Sequence, residues 1–300
     1  MADYILSCCT PADLSEQHFR ERDIHYACFH FLVDGKPYDD DFWKSMSYRE
    51  LYRRMEAGAE VKTSQVNATE FEVYFESFLK EGKDILHLSL SSGISGEVNS
   101  AQIARDTLAP KYPDRKIYVV DSLCASSGLG LFVDKLADLR DGGMNIDELH
   151  DWAEAHKKYL HHWFLSTDLT FFIKGGRISK TAGFFGGILN ICPLMHVDNL
   201  GKLVPRHKIR TKGRVLRAIV DKMEGNAENG LAYADKCYIS QSDCYEDARF
   251  VADQIEQRFP HLNGKVLIND IGCTIGCHTG PGTVALFFWG GDREKDYQKA

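Results

Sequence analysis

Apolar residues in the first half of the chain recur with two periods. Ile85, Leu86, Leu88 and Leu90 make a run of the length of a buried strand, the segment Ser91-Ser92-Gly93-Ile94-Ser95-Gly96 interrupts it, and Val98, Ala101, Ala104 and Leu108 then follow at helical spacing. The pattern predicts strand, loop and helix, with Glu97 where a carboxylate favours a helix N-terminus. The same reasoning predicts strands over 4–7, 26–33 and 116–122, and helices over 13–22, 42–58, 68–80, 129–139 and 145–158, the last capped by Asn145. Asp34-Gly35-Lys36 reads as a hairpin turn. Segment 61–67 breaks the helical pattern with hydroxyl and amide groups, and Thr63 and Ser64 fit helix caps there. Strands alternating with helices predict a parallel sheet covered by helices.

From about Leu160 the pattern changes. Strand-like runs over 163–166, 203–208, 236–240, 265–269 and 283–289 are separated by turns and by helical stretches over 211–223 and 243–259, which reads as α+β. A length of 300 residues exceeds a usual single core. The expected fold is therefore α/β in two domains, an N-terminal one over 1–159 with the serine loop and a C-terminal α+β one over 160–300. In the first half of the second domain, 174–180 is a glycine turn carrying Arg177 between two lysines, and 181–191 reads as an apolar helix rich in Gly and Phe.

Composition narrows the function classes. The chain is 44% hydrophobic and 26% charged, and a net charge of −7 with no basic run of five residues argues against nucleic acid. No window approaches the roughly 18 apolar residues of a membrane span, and no basic leader precedes an apolar core, so a cytoplasmic location is expected. Nine cysteines without a C-x-x-C or paired zinc spacing read as reduced thiols packed as small hydrophobes, with no metal.

Several stretches offer parts for binding an anion. In the loop at 91–96, glycines let the backbone approach a ligand while hydroxyls and helix N–H groups face it; which anion is left open. Arg177 and Arg210 are cationic candidates whose plainer reading is surface or helix-end charge. His278, in the Gly/Pro-rich segment 276–282, reads as a loop histidine serving as a ligand contact or as a structural donor. Gly128 and Gly130 lack the third glycine of a dinucleotide fingerprint and fit close helix packing better. Phosphate-loop, nucleophile-elbow and zinc-protease motifs are absent, and no carboxylate cluster beside the polar loops suits Mg²⁺. The enzyme alternative is a hydrolase or phosphate-ligand enzyme using Ser92 and His278, for which the sequence supplies no third member.

Taken in order, VKTSQVN, LSLSSGISGEVNSA, VVDSLCASSGLG, IKGGRISKTAGFFGGILNICPLMHVDNLGKL, RHKIRT and CHTGPG resemble the DegV family of fatty-acid-binding proteins over essentially the whole chain. The resemblance implies two α/β domains with a long-chain fatty acid between them and no cofactor. It further implies presentation of the carboxylate to a separate ATP-dependent fatty acid kinase, giving acyl phosphate for bacterial phospholipid synthesis. Such a protein is a carrier, not an enzyme, and transient membrane contact is compatible with it. On the residues, the resemblance implies that Thr63 and a serine of the loop, Ser92 or alternatively Ser95, hold the carboxylate. Arg177, Arg210 and His278 would lie at the entrance or face the partner. The chain departs from the family where Cys9-Thr10-Pro11 replaces Asp-Ser-Thr, where Glu97 replaces a threonine, and where Cys192 replaces a common lysine.

Overall fold

The computed structural model describes residues 4–178 and 191–293. The first half runs β1 (Tyr4–Cys9), α1 (Glu16–Glu21), β2 (His25–Ala27), β3 (His30–Val33), β4 (Lys36–Asp39), α2 (Tyr48–Glu56), β5 (Val61–Ser64), α3 (Ala68–Lys80), β6 (Asp84–Ser89), α4 (Glu97–Leu108), β7 (Ile117–Asp121), α5 (Ser127–Asp141) and α6 (Ile146–His156). It continues with β8 (Leu160–Ser166), α7 (Thr170–Lys174), β9 (Ile191–Val197), β10 (Leu203–Arg210), α8 (Lys212–Asn226), β11 (Tyr238–Gln241), α9 (Tyr245–Arg258), β12 (Leu267–Asp270), α10 (Cys273–Thr279) and β13 (Thr283–Trp289).

Three sheets result. A parallel sheet has the order β2-β1-β6-β7, a mixed sheet β10-β9-β8-β13-β11-β12, and a small antiparallel sheet β4-β3-β5. Within the mixed sheet only β11 and β12 pair in parallel. The two central strands β8 and β13 are buried along their whole length, as strands covered on both faces must be.

Helix α5 is the layer shared by the two large sheets, packing on β1 on one side and on β8, β11 and β13 on the other. That position explains its composition, since it is buried almost all round from Ser127 to Ala137. It also explains its glycines: a methyl group at Gly128 would lie 2.1 Å from His162 Nε2 of the mixed sheet, and one at Gly130 would lie 2.6 Å from the Ala12 carbonyl beyond β1. Close packing is their purpose, as the sequence suggests. Asn145 caps α6 in a capping box with Glu148, and Asp34-Gly35 turns the β3–β4 hairpin, also as expected.

Other expectations are corrected. The run over 26–33 is two strands, not one: β2 joins the parallel sheet and β3 the antiparallel one, with Cys28-Phe29 crossing between them. The helix expected over 42–58 begins only at Tyr48, because Phe42 and Trp43 take left-handed backbone angles of φ 60° and 63°. Thr63 and Ser64 are not caps: they lie in β5, and Asn67 at the end of the segment caps the following helix. Strand β9 begins at Ile191, the last residue of the stretch read as an apolar helix, and the remainder of that stretch lies outside the described residues. His278 is not in a loop but in the last turn of α10.

Two hydrophobic cores hold these layers. The larger is continuous across the parallel and mixed sheets, and the smaller gathers Phe31, Val33, Met46, Leu51, Tyr52, Met55, Cys273 and Cys277 between the antiparallel sheet, α2 and α10. The nine cysteines are free thiols, most of them buried. Among the described residues, no helix is long and apolar enough to cross a membrane and no cluster of His, Cys, Asp or Glu is placed to hold a metal.

Candidate ligand-binding site

Where the three sheets meet, a cavity of about 580 Å³ opens. Its walls are apolar in large part: Phe29, Leu90, Phe164, Phe172, Val197 and Phe287 line it, with Thr283, Ala285 and Phe287 alternating along one face of β13. One side of this cavity carries the polar groups picked out in the sequence.

The loop at 91–96 is set from both ends. Glu97, the first residue of α4, turns its buried carboxylate back toward β6 and accepts from Leu90 N at 2.9 Å, His87 Nε2 at 3.0 Å and Ser89 Oγ at 3.2 Å. Ser91 is buried and donates to the Gly201 carbonyl at 2.9 Å, so its hydroxyl belongs to the fold. Gly93 packs against the same turn, where a methyl group would fall 2.4 Å from Gly201 O. Ser92 and Ser95 are left on the cavity wall. The Ser92 amide donates to Asp121 at 3.1 Å, and Ser95 Oγ donates to Gln65 Oε1 at 3.3 Å while accepting from Glu97 N.

Thr63 reaches the cavity from β5 and His278 from α10, and these two elements pack on each other. Thr63 Oγ1 and His278 Nε2 lie 2.8 Å apart. Burial pushes the His278 imidazole down to about 4, and the nearby Arg177 charge adds to the shift, so the ring is neutral near pH 7. In the tautomer protonated on Nε2 the ring donates to Thr63 Oγ1 and leaves the threonine hydroxyl proton free to donate to a ligand; in the other the threonine donates to the ring. Arg177 also lines the cavity, half-buried, with its guanidinium donating to Gly175 O at 2.6 Å. This is a mouth of hydroxyls, one neutral imidazole and one cation beside an apolar chamber. Such a set suits a single anionic oxygen pair at the end of an apolar molecule.

The structure thus brings Thr63, Ser92, Ser95, Arg177 and His278 to one cavity and leaves Arg210 outside it, exposed at the end of β10. His278 Nε2 is engaged by Thr63, and the hydrogen bond found for Ser92 is its amide to Asp121; a Ser92–His278 nucleophile pair is not formed. Sequence reasoning missed Gln65, which carries Ser95 and Ser100 from the TSQ segment, and His162, a β8 residue whose ring accepts from Ala125 N and pairs with Leu160 O. It also missed Ser126, which faces the cavity with a left-handed φ of 54° and is hydrogen-bonded to Asp13 and Ser240. A signal existed for Gln65, which stands inside a segment already notable for its polar groups; the other two sit in apolar or small-residue runs that give none.

An α/β protein with a parallel sheet, a mixed sheet and an apolar cavity between them, closed by hydroxyls, is a defined structural class. The model of the DegV family of uncharacterised proteins matches residues 10–290, and the chain belongs to that family. A DegV domain-containing protein of Clostridium perfringens is 35% identical over 294 residues, covering 98% of this chain and 100% of that protein. Among solved structures, a DegV family protein from Thermus thermophilus described for its fatty acid binding matches with a TM-score of 0.83 at 24% identity, over 96% of this chain and 99% of the other. The Streptococcus pneumoniae fatty acid kinase B3 protein loaded with linoleic acid matches with a TM-score of 0.82 at 22% identity, over the same shares of the two chains. At these identities the two structures establish the shared fold.

Proposed function

We propose that this protein is a carrier that holds a long-chain fatty acid in the cavity and presents its carboxylate to a separate ATP-dependent fatty acid kinase, for acyl phosphate formation and phospholipid synthesis in the bacterial cytoplasm. The observation that carries the reading is the cavity itself: an apolar chamber of about 580 Å³, within the roughly 300–1,000 Å³ of ligand sites, with Thr63, Ser92, Ser95 and His278 together on its wall. The fatty acids named with the Thermus and Streptococcus structures, which share this fold, support it, and the kinase named with the second supports the partner.

In this reading Thr63 and Ser92, or Ser95 in its place, donate to the carboxylate, and the acyl chain lies against Phe164, Phe172 and Phe287. Neutral donors hold the anion while leaving an oxygen available for phosphoryl transfer; a bidentate arginine pair would bind it more strongly and release it less readily. Arg177 and His278 stand at the entrance, and exposed Arg210 faces the partner. The chain divides into units over 1–159 and 160–300, and no cofactor takes part.

Native mass spectrometry of the purified protein, followed by denaturing extraction, is expected to release one fatty acid per chain, and the Thr63→Ala, Ser92→Ala double variant to retain it about tenfold less well, the loss of one or two hydrogen bonds to a charged group. A protein that is repeatedly empty and takes up neither palmitate nor oleate would overturn the carrier reading.

A further inference from the structure

Helix α10 is only seven residues long, begins after Gly272 and is followed by Gly280 and Gly282, both with positive φ. Apolar packing of Cys273 and Cys277 holds the side of this helix, but so short a helix has little stability of its own and its open first turn needs something to fix it. Two buried carboxylates from the other half of the chain do so. Asp13 accepts from Gly272 N at 2.9 Å, and Asp40 takes Cys273 N on Oδ1 at 3.1 Å and Thr274 N on Oδ2 at 3.3 Å. Three of the four amides that a helix N-terminus leaves unpaired are thus satisfied by side chains 230 or more residues away in sequence. Neither carboxylate makes an ion pair with a described residue; the positive end of the helix takes that place.

Their other contacts say what is being fixed. Asp40 directly follows β4, and its amide donates to Phe29 O, so it is part of the antiparallel sheet that carries Thr63 on β5. Asp13 sits in a left-handed turn after β1, accepts from Ser126 Oγ and, through its carbonyl, from Ser127 Oγ at the start of α5. The helix that bears His278, the sheet that bears Thr63 and the cavity-lining Ser126 therefore meet on these two side chains.

We propose that Asp13 and Asp40 are positioning residues for the mouth of the cavity, holding the first turn of α10 so that His278 in its last turn meets Thr63. The assignment of the mouth as a carboxylate site rests on the carrier reading above; the positioning itself does not. Asp40 uses both oxygens as acceptors, and an asparagine offers only one, so Asp40→Asn breaks one of the two amide contacts while keeping the side chain's shape.

The test is to label the protein for histidine-ring NMR and compare wild type, Asp40→Asn, Asp13→Ala, which removes the acceptor for Gly272 N, and a control, Asp134→Asn, whose carboxylate is also buried but does not touch α10. In Asp40→Asn and Asp13→Ala the His278 ring signals are expected to shift, and the titration midpoint to rise toward that of an exposed histidine. Palmitate affinity should fall about tenfold at a temperature where each variant is folded. Asp134→Asn should lower the melting temperature and leave the His278 signals in place. If His278 is unmoved in both α10-anchor variants while their melting temperatures drop, the two carboxylates serve stability alone and the inference fails. If the wild type binds no fatty acid, the carrier reading fails, and the ring signals still decide the positioning.

Discussion

Two sets of buried carboxylates join the halves of this molecule, and they are built on opposite principles. Asp134 on α5 is 1% exposed and is surrounded by charge: Arg22 Nε and His18 Nε2 at 3.0 Å, Lys236 Nζ at 2.5 Å and the Tyr238 hydroxyl at 2.9 Å. Asp13 and Asp40, 4% and 3% exposed, meet backbone amides and a serine hydroxyl instead. Burial raises the pKa of Asp13 and Asp40. Burial also works against a charge on Asp134, but there His18 and Lys236 override it and hold the carboxyl well below the usual range. The first arrangement fastens α1, α5 and β11 together by ion pairing; the second fastens a helix by its own dipole at the edge of the cavity. The ion-paired set lies away from the cavity, and the set held by backbone amides lies beside it.

The sharpest way to break that contrast is Asp134→Ala. It takes the carboxylate from His18 and leaves Arg22 and Lys236 with Asp138 alone at close range, so the loss should fall at the low end of the about 3–5 kcal/mol that breaking a buried pair typically costs. Urea denaturation at pH 7 should show a loss of this size, with ligand binding per folded molecule unchanged. A loss below about 1 kcal/mol would mean the cluster is no more than surface pairing.

Acid separates the two sets next. Because the folded pKa of Asp134 is depressed, its contribution is fully present above the unfolded carboxyl value of about 3.9 and is lost as pH falls from there through the folded value. Asp13 and Asp40 have raised folded values and so have the opposite sign: their contribution is present below about 3.9 and lost as pH rises through the folded value. A third group acts higher. His161 and His278 are pushed down to about 4 by burial, and His162 and His196 are also lowered, so the unfolded chain takes up protons below about 6.5 that the folded protein refuses. Stability should therefore decline in two windows, from about pH 6.5 to 4 and again below about 4, and Asp134→Asn should flatten only the lower one. A variant curve that ran parallel to wild type down to pH 2 would remove Asp134 from the account.

These clusters also mark the boundary of what the chain's own pattern reveals. Periodicity is a local property, and it marks the strand, serine loop and helix around 84–108, the Asn145 cap, the Asp34-Gly35 hairpin and the packing glycines of α5. It fails where one apolar run serves two sheets, as at Cys28-Phe29, because nothing local tells which neighbour a strand will choose. It fails again at α10, a helix too short and too glycine-flanked to be stable by propensity, held by Asp13 and Asp40 from far away. The same limit applies to the site. Thr63 and His278 stand out one at a time as polar residues in loop-like segments, but their contact joins positions 215 residues apart and follows only from the packing of β5 on α10.

The finest comparison uses one strand. Tyr238 and Ser240 are two residues apart on β11 and so share a face, yet the tyrosine hydroxyl donates to Asp134 while the serine hydroxyl pairs at 2.8 Å with Ser126, which serves Asp13. A hydrogen bond to a charged group is worth about 1.5–3 kcal/mol and one between neutral groups about 0.5–1.5 kcal/mol. Tyr238→Phe should accordingly cost about twice what Ser240→Ala does in paired denaturation curves at pH 7. Lowering the pH should diminish the tyrosine's cost as Asp134 takes up a proton, and should leave the serine's cost nearly constant, since its partner Ser126 carries no charge. Equal costs at pH 7, or a serine cost that tracked the acid limb, would show that the two clusters are electrostatically one, and that the ionic fastening of α5 extends to the cavity wall.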